Sequence, residues 1–366
     1  RTANWFGPGM IQSGMWRSVG GGESGFATAD PKDPDVVWSS ASGYGPLGGI
    51  VTRYNEKNNQ FRQLEVWPEF TAGSHAALLK YRFQWTFPLL ISPHDNKTIY
   101  VTSQHVHRTN NDGQSWDVIS PDLSLNDKSM QGFSGGLTGD NIAVEYANVI
   151  YAFDESPVKK GILWAGTNDG LVHITTDHGK TWQNITPKDM PKDTRISIIE
   201  ESKHKAGTIY IAAKRYQMDD RKPYLWKSHD YGKTWSKIIN GIRNDDFLHV
   251  IREDLKIPGL LYAGGEHEVW VSYNYGDNWE SISLNLPDTQ ISDLIVTEKD
   301  LVVGTHGRSI YILDDISPIR EMSKVQNEKP HLYDVYFATR RVQDAEIKYY
   351  LPSTPEKLSI KIIDSK

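Results

Sequence analysis

Cysteine is absent from the 366 residues, which excludes disulfides, thiolate metal ligands and a cysteine nucleophile and leaves any metal only nitrogen and oxygen ligands. Stability must come from an apolar core. Long apolar runs are also missing: stretches such as Phe87 to Ile91 fall far below the ~18 residues that a membrane helix needs, so no transmembrane segment is expected. An excess of positive charge is lacking too. The 40 Lys plus Arg stand against 46 Asp plus Glu, a formal charge of −6, which carries no footprint for phosphate backbones and sets nucleic acid aside as a partner. The histidines His105, His107, His267 and His306 stand at no local metal-binding spacing. The pairs Asp219-Asp220, Asp245-Asp246 and Asp314-Asp315 sit in no twelve-residue calcium loop, and Gly-rich cofactor signatures are missing. No metal and no cofactor are expected. The first twenty residues hold no charged-then-apolar leader and Arg1 is no initiator Met, so any leader is expected upstream of the chain.

What the chain has is aromatic and repetitive. Twelve Trp and 18 Tyr suit β-sheet cores and sugar-binding surfaces alike. Aligned on itself, the chain returns Thr109-Asn-Asn-Asp-Gly-Gln-Ser-Trp116, Thr175-Thr-Asp-His-Gly-Lys-Thr-Trp182, Ser228-His-Asp-Tyr-Gly-Lys-Thr-Trp235 and Ser272-Tyr-Asn-Tyr-Gly-Asp-Asn-Trp279. All fit [S/T]-x-[D/N]-x-G-x-[S/T/N]-W. The tryptophans are 66, 53 and 44 residues apart, a spacing that suits propeller blades with insertions. The short acceptors Asn111, Asp177, Asp230 and Asn274 bond backbone N–H groups of their turn. Gly113, Gly179, Gly232 and Gly276 take a positive φ, and Trp116, Trp182, Trp235 and Trp279 are expected to pack beneath their own sheets.

Around each box an apolar strand, a turn and an aromatic-bearing strand recur, as in Leu163-Trp164-Ala165 and Leu261-Tyr262-Ala263. Units without a box begin at Val36-Val37-Trp38 and at Leu301-Val302-Val303. The fold expected is therefore all-β: a propeller of six visible blades, seven if further residues precede Arg1. The sixth unit shows no outer strand, and Met15-Trp-Arg-Ser-Val19 has the pattern to supply it. The expected organisation is a propeller over residues 1–320, a polar linker over 321–330, and over 331–366 the start of an Ig-like β-sandwich. Its first strands would be Ala345–Leu351 and Leu358–Ile363.

The four boxes resemble the Asp-box (bacterial neuraminidase) repeat of sialidases, sortilin-like propellers and xyloglucanases. Gly20-Gly-Gly-Glu-Ser-Gly25, Lys80-Tyr-Arg-Phe-Gln-Trp85, Asp169-Gly-Leu-Val-His173 and Thr305-His-Gly-Arg308 are similar to segments of bacterial sortilin-type, glycosyl-hydrolase-like secreted proteins, over about residues 1–320. The resemblance implies a secreted, periplasmic or cell-surface protein, longer than this chain, with further propeller repeats before it and an Ig-like domain after it. The chain departs from the enzymes among these relatives. It has no Arg-Ile-Pro motif and no Tyr–Glu pair as in sialidases, and Ser39 to Gly49 lacks the aspartate of the xyloglucanase type.

Since the boxes lie on turns between third and fourth strands, the opposite face is built from the other loops, which carry the unusual polar residues. Glu23, Arg82, Trp85, His105, Tyr146, Arg215, Tyr216, Glu266, His306 and Arg308 are the candidate ligand-binding residues, with Arg195 on the same loops. Arg82, Arg215 and Arg308 could clamp the carboxylate of a sugar or a peptide end, flanked by the aromatic platforms Trp85, Tyr146 and Tyr216. The same charges could equally pair with one another and hold the loops. A polysaccharide hydrolase or lyase would need two carboxylates about 5 to 10 Å apart, for which Glu145, Asp169, Asp220 and Asp246 are the candidates. Three functions stay open: a module binding glycan or peptide, a glycoside hydrolase-like enzyme, and a structural subunit of a surface complex.

Overall fold

The computed structural model describes residues 18–20, 25–41, 49–133, 135, 137, 145–322, 325, 328–334, 346–361 and 363. These fold into antiparallel sheets in which each strand pairs with the next. Sheet I joins β1 (Ala27–Ala29), β2 (Val36–Ala41), β3 (Ile50–Asn55) and β4 (Gln60–Gln63). Sheet II joins β5 (Leu89–Ile91), β6 (Ile99–Thr102), β7 (Val106–Thr109) and β8 (Asp117–Val118). Sheet III follows with β9 (Ile150–Glu155), β10 (Leu163–Thr167), β11 (Val172–Thr175) and β12 (Gln183–Asn184). Sheet IV has β13 (Arg195–Glu201), β14 (Ile209–Arg215), β15 (Asp220–Ser228) and β16 (Ser236–Lys237). Sheet V comprises β17 (Leu248–Glu253), β18 (Leu261–Gly265), β19 (Val269–Ser272) and β20 (Glu280–Ser281). Sheet VI comprises β21 (Ile291–Val296), β22 (Leu301–Thr305) and β23 (Ile310–Leu313). The chain is nearly all-β, in the arrangement of a β-propeller with six blades. No helix among the described residues is long and apolar enough to cross a membrane.

The chain divides into two compact units, one of Arg1–Ile238 with Arg243–Ile251, the other of Ile239–Ile242 with Arg252–Lys366. In the first, the core lies between successive sheets. Ile162, Trp164 and Val172 of sheet III and its lead-in pack with Ile196, Ile209, Ile211 and Trp226 of sheet IV, all of them buried. Leu163, Trp164 and Ala165 are each fully buried, because an inner sheet is covered on both faces and the period-2 alternation of a half-exposed strand is lost. The two-residue fourth strands β8, β12, β16 and β20 are exposed throughout.

Each Asp box folds as an eight-residue turn in which Thr109, Thr175, Ser228 and Ser272 donate to Asn111, Asp177, Asp230 and Asn274 at 2.7–3.0 Å. Those side chains accept in turn from the N–H four residues on. The bonds select the charged carboxylate. The Thr181 N–H and hydroxyl hold the Asp177 carboxyl down at about 2, and the Thr234 hydroxyl and N–H do the same for Asp230. The left-handed stretch is longer than a single glycine: Asp112, His178, Tyr231 and Tyr275 also have φ of 56–63°.

The box tryptophans join neighbouring sheets. The Trp182 indole N–H donates to the Ile119 carbonyl at 2.8 Å and that of Trp235 to the Ile185 carbonyl at 2.7 Å, so each packs in a core to which its own sheet contributes and also reaches back to the end of the preceding sheet. The box glycine is part of the same junction. A Cβ on Gly232 (φ +77°) would stand 2.4 Å from Ile185 Cδ1, whereas one on Gly73 (φ +80°) would meet nothing within 4 Å. Gly232→Ala is expected to cost about 1–3 kcal/mol, and Gly73→Ala only the ~1 kcal/mol of a left-handed alanine. Equal urea midpoints for the two variants would show that the junction is not tight.

A second recurrent device was legible as Glu-x5-Gly and went unread. The Gly161, Gly207 and Gly259 N–H groups donate to the buried carboxyl groups of Glu155, Glu201 and Glu253 at 3.4, 2.8 and 3.1 Å. The same glycines accept from the N–H of His178, Tyr231 and Tyr275 at 2.9–3.0 Å, tying the turn between first and second strands to the Asp box.

In the second unit, sheet VI has three strands among the described residues. Met15 to Arg17, the core of the segment expected to complete it, lie outside those residues, and Ser18 and Val19 carry no strand. The expected linker is entered by a helix, α1 (Ser317–Glu321), with Pro318 in its first turn. Of the two strands expected after it, only β25 (Tyr349–Tyr350) forms. It pairs with β24 (His331–Leu332) rather than with Leu358–Ile363, whose described positions have no strand.

Candidate functional site

Within the first unit, the loops after second strands (Asn168 to Leu171, Tyr216 to Asp219) and the connections between sheets surround a cavity of about 860 Å³. These loops lie at the strand ends opposite the Asp boxes. Seven of the residues singled out in the sequence line the cavity: Trp85, Glu145, Tyr146, Asp169, Arg195, Arg215 and Tyr216.

Their neighbours decide what each can do. Asp169 accepts from the Thr167 hydroxyl on one oxygen and from Leu125 N–H (3.0 Å) and Asn148 Nδ2 (2.6 Å) on the other, so its carboxylate is engaged by three donors. Arg215 Nη1 meets Asp220 at 2.5 Å, and its Nε donates to the Lys192 carbonyl at 3.1 Å. Burial works against the Asp220 charge, but the Tyr224 hydroxyl, the Lys222 N–H and Arg215 outweigh it and hold the carboxyl below its ordinary value. Tyr216, 41% exposed, stacks on Phe247 with ring centroids 5.1 Å apart and planes 19° off parallel, which fixes the orientation of its ring, and Lys214 Nζ lies 5.6 Å from the ring centroid. Tyr146 is buried, and burial raises its hydroxyl pKa.

Other expected site residues lie elsewhere. Arg82 is 3% exposed and donates to Asp122 (3.0 Å), Ser124 (3.3 Å) and twice to the Asn148 carbonyl, so it braces the connection between sheets II and III. His105 bonds the Ser120 carbonyl at 3.1 Å and packs edge-on against Tyr81. Asp246 is fully buried. Glu266, His306 and Arg308 belong to the second unit, where His306 and Arg308 are exposed on the loop between β22 and β23. Glu23 lies outside the described residues. Among the described residues no cluster of His, Asp or Glu could hold a metal ion.

Among the lining residues that the sequence did not single out are Tyr151 in β9 and Lys214 in β14. The Arg195 guanidinium, at the start of β13, lies 4.9 Å above the Tyr151 ring, while Lys214 Nζ meets His249 Nδ1 at 2.9 Å. Tyr151 was within reach of alternation, since it follows the buried Ile150 and is itself half-buried.

The BNR-Asp box repeat family matches residues 225–238, which run from the end of strand β15 through the third box and β16. No curated protein matches the sequence. Among solved structures, the chain is similar to the GH74 xyloglucanase from Xanthomonas campestris at 15% identity and a TM-score of 0.56, over 79% of this chain and 44% of that one. It is also similar to an ancestral GH74 enzyme (14%, TM-score 0.51, covering 82% and 40%). A third is the extracellular domain of a hybrid two-component system from B. thetaiotaomicron (13%, TM-score 0.51, covering 79% and 33%). The chain thus spans less than half the length of each, and at these identities the likeness extends to the fold. The box turns, the six sheets and the repeat match together make the chain a six-bladed β-propeller that carries the BNR-Asp box repeat.

Proposed function

We propose that this propeller is a secreted or cell-envelope binding module, periplasmic or at the cell surface, that recognises glycan on the face opposite its Asp boxes. The reading rests on one observation: in a cavity of ligand size, about 860 Å³, aromatic faces and cations converge while Asp169 and Asp220 are already engaged by fixed donors. Hydrolysis asks for a carboxyl free to give up a proton across the bond from a second carboxylate. Asp220, held below its ordinary pKa beside Arg215, is poorly placed to be that acid. Glu145, exposed on the cavity wall, is the carboxylate that keeps a hydrolase or lyase as the second reading.

Polysaccharide binding measured beside reducing-sugar release separates the two. Binding without release is the expected result, with Glu145→Gln and Asp169→Asn leaving the absence of release unchanged. Release that either substitution abolishes would install the enzyme reading instead. A peptide ligand, or a structural place in a surface complex, would show as peptide binding or co-purification without glycan affinity.

A further inference from the structure

We infer that the ligand is an acidic glycan, a chain bearing uronate-type carboxylates, and that one carboxylate is received by Arg195. The inference rests on the glycan reading of the cavity and adds the chemical class. The two arginines of the first unit that the sequence offered as a clamp are committed elsewhere, Arg82 to Asp122 and the Asn148 carbonyl and Arg215 to Asp220. Arg195 is different. Its Nε is shielded from solvent and meets no hydrogen-bond acceptor among the described residues, and no carboxylate among them pairs with it. It is steadied by the Tyr151 face 4.9 Å below, a contact that orients a guanidinium without neutralising it. A buried, unsatisfied guanidinium N–H is costly unless something supplies the acceptor, and a planar carboxylate matches its fork.

The remaining wall argues for a sugar as the bearer of that carboxylate. Tyr216, held rigid on Phe247, offers an exposed aromatic face of the kind on which the C–H face of a pyranose stacks. Glu145 and Asp193 line the same cavity, and their carboxylates accept from hydroxyl donors, which a sugar ring supplies and a polyglutamate does not. A ring with several hydroxyls and a single carboxylate answers all of these groups at once.

The test is calorimetric titration of the whole chain with hexagalacturonate, oligoguluronate and a hyaluronan hexasaccharide. Each is paired with its neutral methyl ester, and hexaglutamate serves as the peptide arm. At least one acidic glycan is expected to bind tenfold or more tightly than its ester, and Arg195→Gln is expected to bring the acid down to the affinity of the ester while leaving the ester unchanged. Arg195→Lys should recover part of the loss. Equal affinity for acid and ester would overturn the carboxylate assignment and leave the glycan reading standing. Binding of hexaglutamate alone, or of none of the probes, would overturn both. The comparison of acid with ester uses the unaltered chain, so it decides the matter even if the Arg195 variants do not fold.

Discussion

Arg320→Met is expected to destabilise the second unit by about 3–5 kcal/mol, read as a fall in the urea midpoint with the slope unchanged. Arg320 closes over Asp254, its Nε within 2.9 Å and 3.0 Å of the two carboxylate oxygens, and the two side chains are only 8% and 0% exposed. Asp254 also accepts from the Lys256 and Ile257 N–H groups, while Arg320 donates to the Glu298 and Thr297 carbonyls at 2.6 and 3.0 Å. The arginine therefore ties the turn after β17 and the turn after β21 to helix α1. Removing it takes from a buried carboxylate the guanidinium that faces both of its oxygens, and leaves the Thr297 carbonyl without its donor and the Glu298 carbonyl with Lys256 Nζ at 3.2 Å. The isolated cost of such a charge is larger than the worth of the intact pair. A fall below about 1 kcal/mol would mean that water reaches Asp254 and that the pair is a surface contact.

The second large effect is a pH dependence centred on Glu201. Burial raises its carboxyl to about 7 despite the Gly207 N–H, the Trp164 indole and Ser156, and the charge of Asp154 adds to the rise. With the folded value above the unfolded one, the native state holds the extra proton, so Glu201 withdraws stability as pH climbs from about 4.5 to about 7. The loss reaches about 3 kcal/mol and is constant above that. Two buried histidines act in the opposite sense. Desolvation lowers His107 to about 3 and His173 to about 4, so both add stability as pH rises towards 6.5 and nothing further beyond it. The histidine contributions cancel when Glu201→Gln is compared with the unaltered chain. The variant is expected to start lower at pH 5, because the glutamine amide cannot accept from both Gly207 and Trp164, and to regain about 3 kcal/mol relative to the parent by pH 8. Parallel stability curves between pH 5 and pH 8 would exclude a proton held at Glu201.

The Asp-box carboxylates set the acid limit of the same curve. Asp177 and Asp230 are held at about 2, so the stability they contribute is complete above the usual carboxylate range and is lost only as pH falls towards 2.

Sequence reading recovered the sheets well and the contacts between them poorly, and the box residues show why. The Thr175 to Asp177 bond spans two residues and the Asp177 to Thr181 bond four, so pattern alone reveals them. The Trp182 partner, Ile119, is 63 residues away at the end of another sheet, so pattern alone does not reveal that bond. The cavity divides in the same manner. Loop position brought Trp85, Asp169, Arg215 and Tyr216 to one mouth on paper and in space, because the alternation of turns along a meander decides at which end of a sheet a loop emerges. Position could not say that Arg82, two residues before Gln84 on the cavity wall, would turn inward to the Asn148 carbonyl, or that Tyr151 would rise beside Arg195.

What the amino-acid sequence determined by itself is the blade: its strands, its box turn and the side of the sheet on which each loop emerges. These follow from hydrogen bonds and alternation acting over a few residues. Which charges are spent and which are left for a ligand was decided only by tertiary structure. Asp169, Arg215 and Arg195 are alike as loop or strand-end polar groups in the sequence. They differ because Leu125 and Asn148, from the connection between sheets II and III, join the adjacent Thr167 on the first, the hairpin partner Asp220 meets the second, and the Tyr151 face of sheet III reaches the third. A buried polar group takes its character from the partners that packing delivers, and for Asp169 and Arg195 the deciding ones come from far along the chain.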